Sequence, residues 1–190
     1  MQKIETAHQL QQRIRTVLET VEREFRPLSD EQLNWKPDTS RWSITQCLQH
    51  LNLAERFYIR NLQKKVDDLG FIQTSPIDQP LKSSMVGRML RKAVDPNSKM
   101  KLPTVSFMTP RNDLDARDVM KQFVELQQLL HELLDKAPYI DWNEEKVMTL
   151  FGNWLKINVG DAFQMLVAHT ERHLNQALRV KQEAAGILSK

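Results

Sequence analysis

Four long segments of the chain place apolar residues at every third or fourth position, which is the spacing of one face of an α-helix. They run from about Ile4 to Phe25, from Ser43 to about Leu69, from Asp113 to Pro138 and from about Asn158 to Glu183. The chain has 5 glycines among 190 residues and few runs of β-branched residues, so its composition also disfavours strands. Each segment predicts one long amphipathic helix with a buried face.

Residues that commonly begin or end helices flank these segments. Pro27 and Pro138 follow the first and third segments, and Gly70 follows the second in a position that glycine favours. Between the first two segments, Ser29 with Gln32 three residues later predicts a short capped helix of one or two turns. The ends of the predicted helices are therefore marked as well as their interiors.

The connections between the long helices differ in length. A proline-rich stretch from Phe71 to Asn112 joins the second helix to the third, and within it Ser83–Val94 could form a short amphipathic helix. A linker with Trp142 and Trp154 precedes the fourth helix. Because the long connection can cross the length of a bundle, helices 2 and 3 are expected to run parallel. We predict an all-α, up-down-down-up four-helix bundle with a long crossover between helices 2 and 3, forming a single domain over residues 1–190.

The charge of the chain is nearly balanced, with 27 Lys and Arg against 24 Asp and Glu and a net charge of +3. The basic excess lies in the crossover, which carries Lys82, Arg88, Arg91, Lys92, Lys99, Lys101 and Arg111 against Asp78 and Asp95. This cluster could contact an anionic partner, or it could be a solvated loop face. Only Phe71 and Phe107 are nearby for base stacking, and no DNA-recognition helix is evident, so we do not expect nucleic-acid binding.

The chain carries one cysteine, Cys47, so it cannot form an internal disulfide. The first fifteen residues lack the apolar core of a signal peptide, and no window approaches about 18 uninterrupted apolar residues. We therefore expect a protein of the reducing cytoplasm that neither spans a membrane nor is exported. At this length the chain can bury a full core, so a bound metal would serve chemistry rather than folding.

The placement of the histidines is the most informative feature for function. His169 and His173 are four residues apart on the fourth helix, about 40° from one another on one face. Both lie on the shoulder of the buried face, as does His50 on the second helix. Three such imidazoles could offer neutral ligands at about 2.0–2.1 Å from a metal and leave one coordination position open. The alternative is that the histidine pair lies partly exposed on the surface, since this spacing also arises by chance in helices.

No general base can be named beside these histidines. Glu171 is two residues after His169, not one as in zinc proteases, and is expected to lie on the solvated surface with Arg172. Glu55 lies about 140° around its helix from His50, nearer the core. Core filler is the favoured interpretation of Cys47, although its sulfur could approach the groove. The remaining histidines, His8 and His131, are expected on the surface. The aromatic residues Trp42, Tyr58 and Trp154 are expected either in the core or in the wall of a pocket.

Two separated motifs of this chain resemble those of the DinB-like (DNA-damage-inducible) proteins. The family's "P…W-S…HL…E" signature is similar to the segments Trp35–Asp38, Arg41–Ile44 and Cys47–Glu55 taken together. Its C-terminal "H-x-x-x-H-x-x-Q" helix is similar to Gly160–Phe163 with His169–Gln176. The motifs stand in the right order, and the resemblance covers nearly the whole chain.

The resemblance implies a four-helix bundle of the predicted topology, often a homodimer, that binds one divalent metal ion, with nickel and zinc among those expected. Carried over residue by residue, the ligands are His50, His169 and His173, and none is missing. Some members of the family are metal-dependent hydrolases, others are thiol S-transferases that use a low-molecular-weight thiol, and many have no assigned reaction. The name records induction by DNA damage and not DNA polymerase activity.

The function expected from these observations is that of a metal-dependent enzyme. The ion would lower the pKa of a bound water or thiol and so create a nucleophile for a small-molecule substrate. Thiol transfer and hydrolysis both fit. The alternative is a non-catalytic, stress-related bundle that binds a metal or another ligand and dimerises through an apolar helix face.

Overall fold

The computed structural model describes residues 1–70, 75–98 and 104–188. Phe71, Lys99 and Lys101 of the predicted crossover lie outside the described residues. The described part is mostly helical, as predicted, and contains the following α-helices: α1 (Lys3–Glu24), α2 (Asp30–Asn34), α3 (Ile44–Gly70), α4 (Met85–Val94), α5 (Ala116–Lys136) and α6 (Val159–Leu188). Short 3₁₀ turns occur at Ser106–Met108 and Ala137–Tyr139. None of the described helices is long and apolar enough to cross a membrane.

The helix ends follow local capping chemistry. The short helix α2 begins with the predicted capping box, in which Ser29 and Gln32 exchange hydrogen bonds between side chain and backbone. Two ends differ from the prediction. Asp115, and not Asp113, caps α5 by accepting hydrogen bonds from two backbone N–H groups of its first turn. Gly70 is the last residue of α3 instead of the residue after it.

The linker between the third and fourth long helices contains a β-hairpin that the prediction missed, although the mostly helical structure broadly supports the all-α prediction. Strands β1 (Lys146–Thr149) and β2 (Gly152–Asn158) pair antiparallel, with Val147 opposite Ile157. Both of these side chains are buried against the helices. The hairpin turns at Gly152, whose φ of 107° is a conformation that side chains disfavour. The two-stranded sheet is therefore a small addition to a helical core.

The four long helices pack in neighbouring pairs. Helix α1 contacts α5 and α6, and helix α3 contacts the same two helices. Helix α1 runs parallel to α6, and α3 runs parallel to α5. The pairs α1–α5 and α3–α6 are antiparallel. The parallel pairs are shown by Arg13–Glu171 and Glu24–Lys181, and by Asn52–Val119 and Glu55–Gln127. The antiparallel pairs are shown by Gln11–Asp135 and Arg15–His131, and by Glu55–Thr170 together with Arg41–Glu183, in which Arg41 lies three residues before α3.

The short helix α4 of the crossover is fastened to the first turn of α6. The buried carboxylate of Asp161 accepts hydrogen bonds from the backbone N–H and the hydroxyl of Ser84 at 2.9 and 3.0 Å. The two helices approach so closely at Gly87 that a Cβ atom there would lie 1.9 Å from Asp161 Oδ2. Glycine at this position is what allows α4 to lie on α6.

Candidate metal centre

Two antiparallel helices bring the three predicted histidines together. His50 comes from the first half of α3, and His169 and His173 come from successive turns of α6. Their ring centroids are 4.6 to 5.2 Å apart, and one ligand atom from each lies within 4.8 Å of the others. We refer to His50, His169 and His173 as the histidine cluster.

The distances in the histidine cluster fit a transition metal. The Nε2 atoms of His50 and His169 lie 3.3 Å apart. In tetrahedral geometry, two nitrogen ligands at about 2.0–2.1 Å from zinc are about 3.3–3.4 Å from each other. The donor set is also chemically suitable, because imidazole nitrogen is a preferred ligand of zinc, nickel and copper. The residues present therefore fit such an ion.

Hydrogen bonds to the other ring nitrogens orient two members of the cluster. His50 Nδ1 lies 2.9 Å from the carbonyl oxygen of Met108, and His173 Nδ1 lies 3.0 Å from Gln176 Oε1. Both partners only accept, so each Nδ1 carries the proton and each Nε2 keeps a free lone pair. Partners of this kind fix the tautomer and ring orientation of metal-binding histidines. The structure thus gives Gln176, the last residue of the helix motif, a definite contact.

The cluster also holds its imidazoles in the neutral state. Burial lowers the pKa of His173 to about 3, with a further contribution from His50. Burial and the neighbouring His173 and His50 lower the pKa of His169 well below its usual value. Burial lowers the pKa of His50 as well, although the hydrogen bond to Met108 opposes this shift. Neutral imidazole is the form that binds metal ions.

One of the three aromatic residues considered from the sequence borders the cluster. The Trp42 ring lies 4.9 Å from that of His50 and 5.8 Å from that of His173, measured between centroids. The hydroxyl oxygen of Tyr58 instead accepts a hydrogen bond from the backbone of Leu150 in the hairpin. Trp154 on β2 is 79% exposed. Trp42 therefore forms a wall beside the cluster.

Cys47 and the other two histidines are placed elsewhere. Cys47 is buried in an apolar cluster, and burial raises the pKa of its thiol to about 12. These surroundings support the interpretation that Cys47 is a packing residue of the core. His8 is exposed on α1, and His131 lies beside Arg15 on the outer part of α5 and α1. Among the described residues, the three histidines form the one group of potential metal ligands that lie close enough together to bind an ion.

The two carboxylates considered as bases have other partners. Glu55 is fully buried and accepts hydrogen bonds of 2.6 Å from both Gln127 Nε2 and Thr170 Oγ1, which joins α3 to α5 and α6. Burial raises its pKa to about 7. Glu171 forms a bidentate ion pair with Arg13 of α1. It therefore points away from the cluster, as expected, but joins two helices instead of facing only solvent.

Sequence reasoning missed one contact of the site, that of Met108, and left the position of Trp42 open between the core and a pocket wall. The carbonyl oxygen of Met108 belongs to the backbone, so no side-chain pattern marks it. The stacking of Trp42 depends on the path of the loop before α3, and its place in the sequence motif does not specify a partner. The "Q" of the helix motif was visible, but its bond to His173 follows only from the three-residue spacing on a formed helix.

Three imidazoles that converge from two helices of a mostly helical scaffold define this chain as a protein with a candidate three-histidine metal centre. The chain belongs to the DinB superfamily, whose family model matches residues 9–177. It is also similar to the uncharacterized protein YuaE of Bacillus subtilis (strain 168), with 26% identity over 160 residues, covering 84% of this chain and 90% of that protein. No solved structure matches the chain.

Proposed function

We propose that the protein is a divalent-metal-dependent enzyme that binds one nickel or zinc ion through His50, His169 and His173 and acts on a small-molecule substrate. The observation that carries this proposal is the convergence of three neutral imidazoles with ligand atoms within 4.8 Å of one another. Membership of the DinB superfamily supports it. The reaction is either transfer of a low-molecular-weight thiol to an electrophile or hydrolysis.

In the proposed site, a bound ion and the surrounding residues have different roles. A bound divalent ion supplies Lewis acidity, which lowers the pKa of a coordinated water or thiol toward neutrality. The Met108 carbonyl and Gln176 keep two imidazoles oriented, and Trp42 forms a wall beside them. No general base is assigned, because Glu55 and Glu171 are engaged by neutral and cationic partners outside the cluster.

The proposal extends to the architecture and the cellular setting. We treat the four long helices as an up-down-down-up bundle within one domain, which the directions of the neighbouring helix pairs support. The proposed assembly is a homodimer, and the proposed location is the cytoplasm. A single buried cysteine, with no second one to form a disulfide, is compatible with a reducing compartment.

A second candidate function is a non-catalytic, stress-related protein that binds a metal or another ligand. The observation that favours it is that the carboxylates nearest in the sequence, Glu55 and Glu171, have partners away from the cluster. A site without a proton acceptor can still hold an ion. Metal content and turnover therefore have to be measured separately.

Metal content tests the first part of the proposal. Untagged protein purified without chelators is analysed by mass spectrometry, alongside the variants His50→Ala, His169→Ala and the matched control His131→Ala. We expect close to one transition metal ion per chain in the wild type and in the control, and loss of the ion in both cluster variants. Full metal stoichiometry in His50→Ala would overturn the ligand assignment.

Turnover tests the second part. The metal-loaded protein is assayed for transfer of small thiols to electrophiles and for hydrolysis of amides and esters, with the metal-free His50→Ala protein as the blank. The enzyme proposal expects turnover that depends on the ion. Stoichiometric metal without turnover in either reaction class would favour the non-catalytic function.

A further inference from the structure

A second site candidate lies on the other side of α6. A cleft of about 450 Å³ opens between α4, α6 and α1. We call it the basic cleft, because four cationic and two acidic side chains line it: Arg13, Arg88, Arg91, Lys92, Asp95 and Glu171. Its volume falls within the range of about 300–1,000 Å³ that is typical of small-molecule sites.

The basic cleft is separate from the histidine cluster. On α6 the cleft is lined by Gln164, Ala168 and Glu171. At about 100° per residue, these positions lie about 150° around the helix from His169 and His173. A ligand in the cleft would therefore contact the opposite face of α6, and binding there is independent of the metal proposal.

The walls of the basic cleft are held in place by contacts beneath it. Arg91 donates hydrogen bonds to Gln164 of α6 and to Ser83, and its Nε lies 3.6 Å from the buried carboxylate of Asp161. The same carboxylate fastens the start of α4 through Ser84. Helix α4 is thus fixed before any ligand arrives, which lowers the entropic cost of binding.

The positive charge available to a ligand comes from two residues. Arg13 is neutralised by its bidentate pair with Glu171, and Arg91 is paired with Asp161. Arg88 donates to the carbonyl oxygen of Ser83, and no carboxylate of the described residues forms an ion pair with Arg88 or Lys92. Both are exposed one turn apart on α4, so they present two uncompensated cations along one side of the cleft.

We propose that the basic cleft binds a small anion that carries at least two negative charges, with Arg88 and Lys92 as its principal contacts. Phosphoryl and carboxylate groups share the chemistry that these cations recognise. A nucleic acid fits less well, because Asp95 lies in the wall and would repel a continuous phosphate backbone. The limited volume also favours a compact ligand.

Isothermal titration calorimetry with pyrophosphate and with citrate tests the proposal. The wild type is compared with Arg88→Gln and Lys92→Gln, and with the control variants Arg60→Gln and Lys64→Gln, which remove exposed cations from α3. Because both probes also chelate metals, each titration uses metal-free protein and is repeated in the His50→Ala variant. A 30-base-pair DNA duplex serves as the macromolecular comparison.

We expect saturable binding of at least one probe at one site per chain. Each cleft variant should weaken it by about three- to tenfold, the effect of removing one hydrogen bond of ordinary strength at an exposed position, and the α3 controls should leave it unchanged. Asp95→Asn should strengthen binding, whereas Asp68→Asn on α3 should not. Preference for pyrophosphate or for citrate would identify the ligand as phosphorylated or as a polycarboxylate.

Four results would overturn the proposal. The first is the absence of saturable binding of either probe, and the second is binding that Arg88→Gln and Lys92→Gln leave intact. The third is DNA binding that these variants abolish in a protein that ignores both probes, which would make the surface a nucleic-acid interface. Binding that disappears only in His50→Ala would likewise place the anion at the histidine cluster and contradict the assignment.

Discussion

Gln176 is the third residue of the helix motif that contributes to the site, after His169 and His173. Its Oε1 accepts the Nδ1 proton of His173 at 3.0 Å, so that Nε2 faces the other members of the cluster. Gln176→Leu should weaken metal binding by about 10- to 100-fold, because the ring loses the partner that fixes its tautomer and orientation. Competition against a chromophoric chelator measures this affinity.

The matched variants for this prediction keep the helix and change only the contact. Gln182→Leu alters an exposed glutamine about two and a half turns from the cluster residue His173 and should leave metal affinity unchanged. Gln176→Glu retains an acceptor and should keep or increase the affinity. Equal affinities of Gln176→Leu and the wild type would contradict an orienting role.

Glu55 has a hydrogen-bonding environment that suits a neutral carboxyl group. Both of its partners, Gln127 and Thr170, are neutral. The hydroxyl oxygen of Thr170 also lies 3.0 Å from the carbonyl of Leu166, which can take the hydroxyl hydrogen. Thr170 donates to the ionised carboxylate of Glu55, whereas the hydroxyl of a protonated Glu55 can donate a hydrogen bond to Thr170 Oγ1 while Gln127 still donates to the other carboxyl oxygen.

The raised pKa of Glu55 makes protein stability depend on pH with a definite sign. Its pKa is about 7 in the folded protein against an ordinary value of 4.5, so the unfolded chain loses the proton first as pH rises. The stabilising contribution is complete below about pH 4.5 and is lost as pH rises through 7, by a total on the order of 3 kcal/mol.

Comparison with Glu55→Gln isolates this contribution, because the introduced amide can make the hydrogen bonds of a neutral carboxyl group. The histidines have lowered pKa values and act in the opposite direction, but they act equally in both proteins. Urea denaturation between pH 4.5 and 8 should show the variant gaining stability over the wild type as pH rises. The exposed residue Glu132 provides a control variant, Glu132→Gln, that is measured alongside. A constant difference between Glu55→Gln and the wild type would contradict the assignment.

At the residue scale, the sequence predicted the members of the cluster because helical spacing alone fixes the direction of a side chain. His169 and His173 share a face, and His50 lies on a helix shoulder. The contacts of Glu55 were out of reach, since an angle of about 140° from His50 indicates the core but does not identify Gln127 and Thr170 as its partners. Those partners depend on how three helices pack.

At the scale of the element, the docking of α4 depends on the absence of a side chain. A Cβ atom at Gly87 would lie 1.9 Å from Asp161 Oδ2, so Gly87→Ala must displace either α4 or the carboxylate. We expect a loss of about 1–3 kcal/mol in the free energy of unfolding, as for other overpacked sites. Chemical denaturation measures it.

The sign of the Gly87→Ala effect discriminates between docked and undocked α4. In an isolated helix, alanine is favoured over glycine by about 1 kcal/mol, so the same change would stabilise an undocked α4. In an Asp161→Ala background the two closest contacts, with Oδ2 and Cγ of Asp161, are removed and only the approach of 2.7 Å to the Cβ atom of residue 161 remains, so the penalty should shrink. Stabilisation by Gly87→Ala in the wild-type background would show that α4 does not rest on α6 as described.

The hairpin shows where element prediction from sequence fails. Strand β1 has four residues, and its partner follows after a turn at Gly152, so neither strand has a long alternating pattern. Their apolar side chains are covered by the hydrophobic cluster beneath the helices. The long helices carry their own periodic signal, whereas these strands depend on a surface that exists only after the helices have packed.

At the scale of the whole molecule, the histidine cluster joins two helices that are far apart in the sequence. His50 lies on α3, and its partner His169 is 119 residues later on α6. Helical periodicity contains no direct information on this long-range pairing, which the family resemblance implied through the order of two motifs. An ion on these ligands would tie the two helices together, because the ligands cannot converge in an unfolded chain.

Metal binding should therefore stabilise the whole fold. An ion that binds only the folded chain adds RT ln(1 + [M]/Kd) to the free energy of unfolding, or about 2.7 kcal/mol at a free concentration of 100 times Kd. Thermal unfolding with increasing zinc or nickel should show a rising Tm in the wild type, reversed by a chelator. His50→Ala should show no such rise, while His131→Ala should respond as the wild type does. An equal rise in the His50→Ala variant would place the ion elsewhere, because α3 would then contribute nothing to its binding.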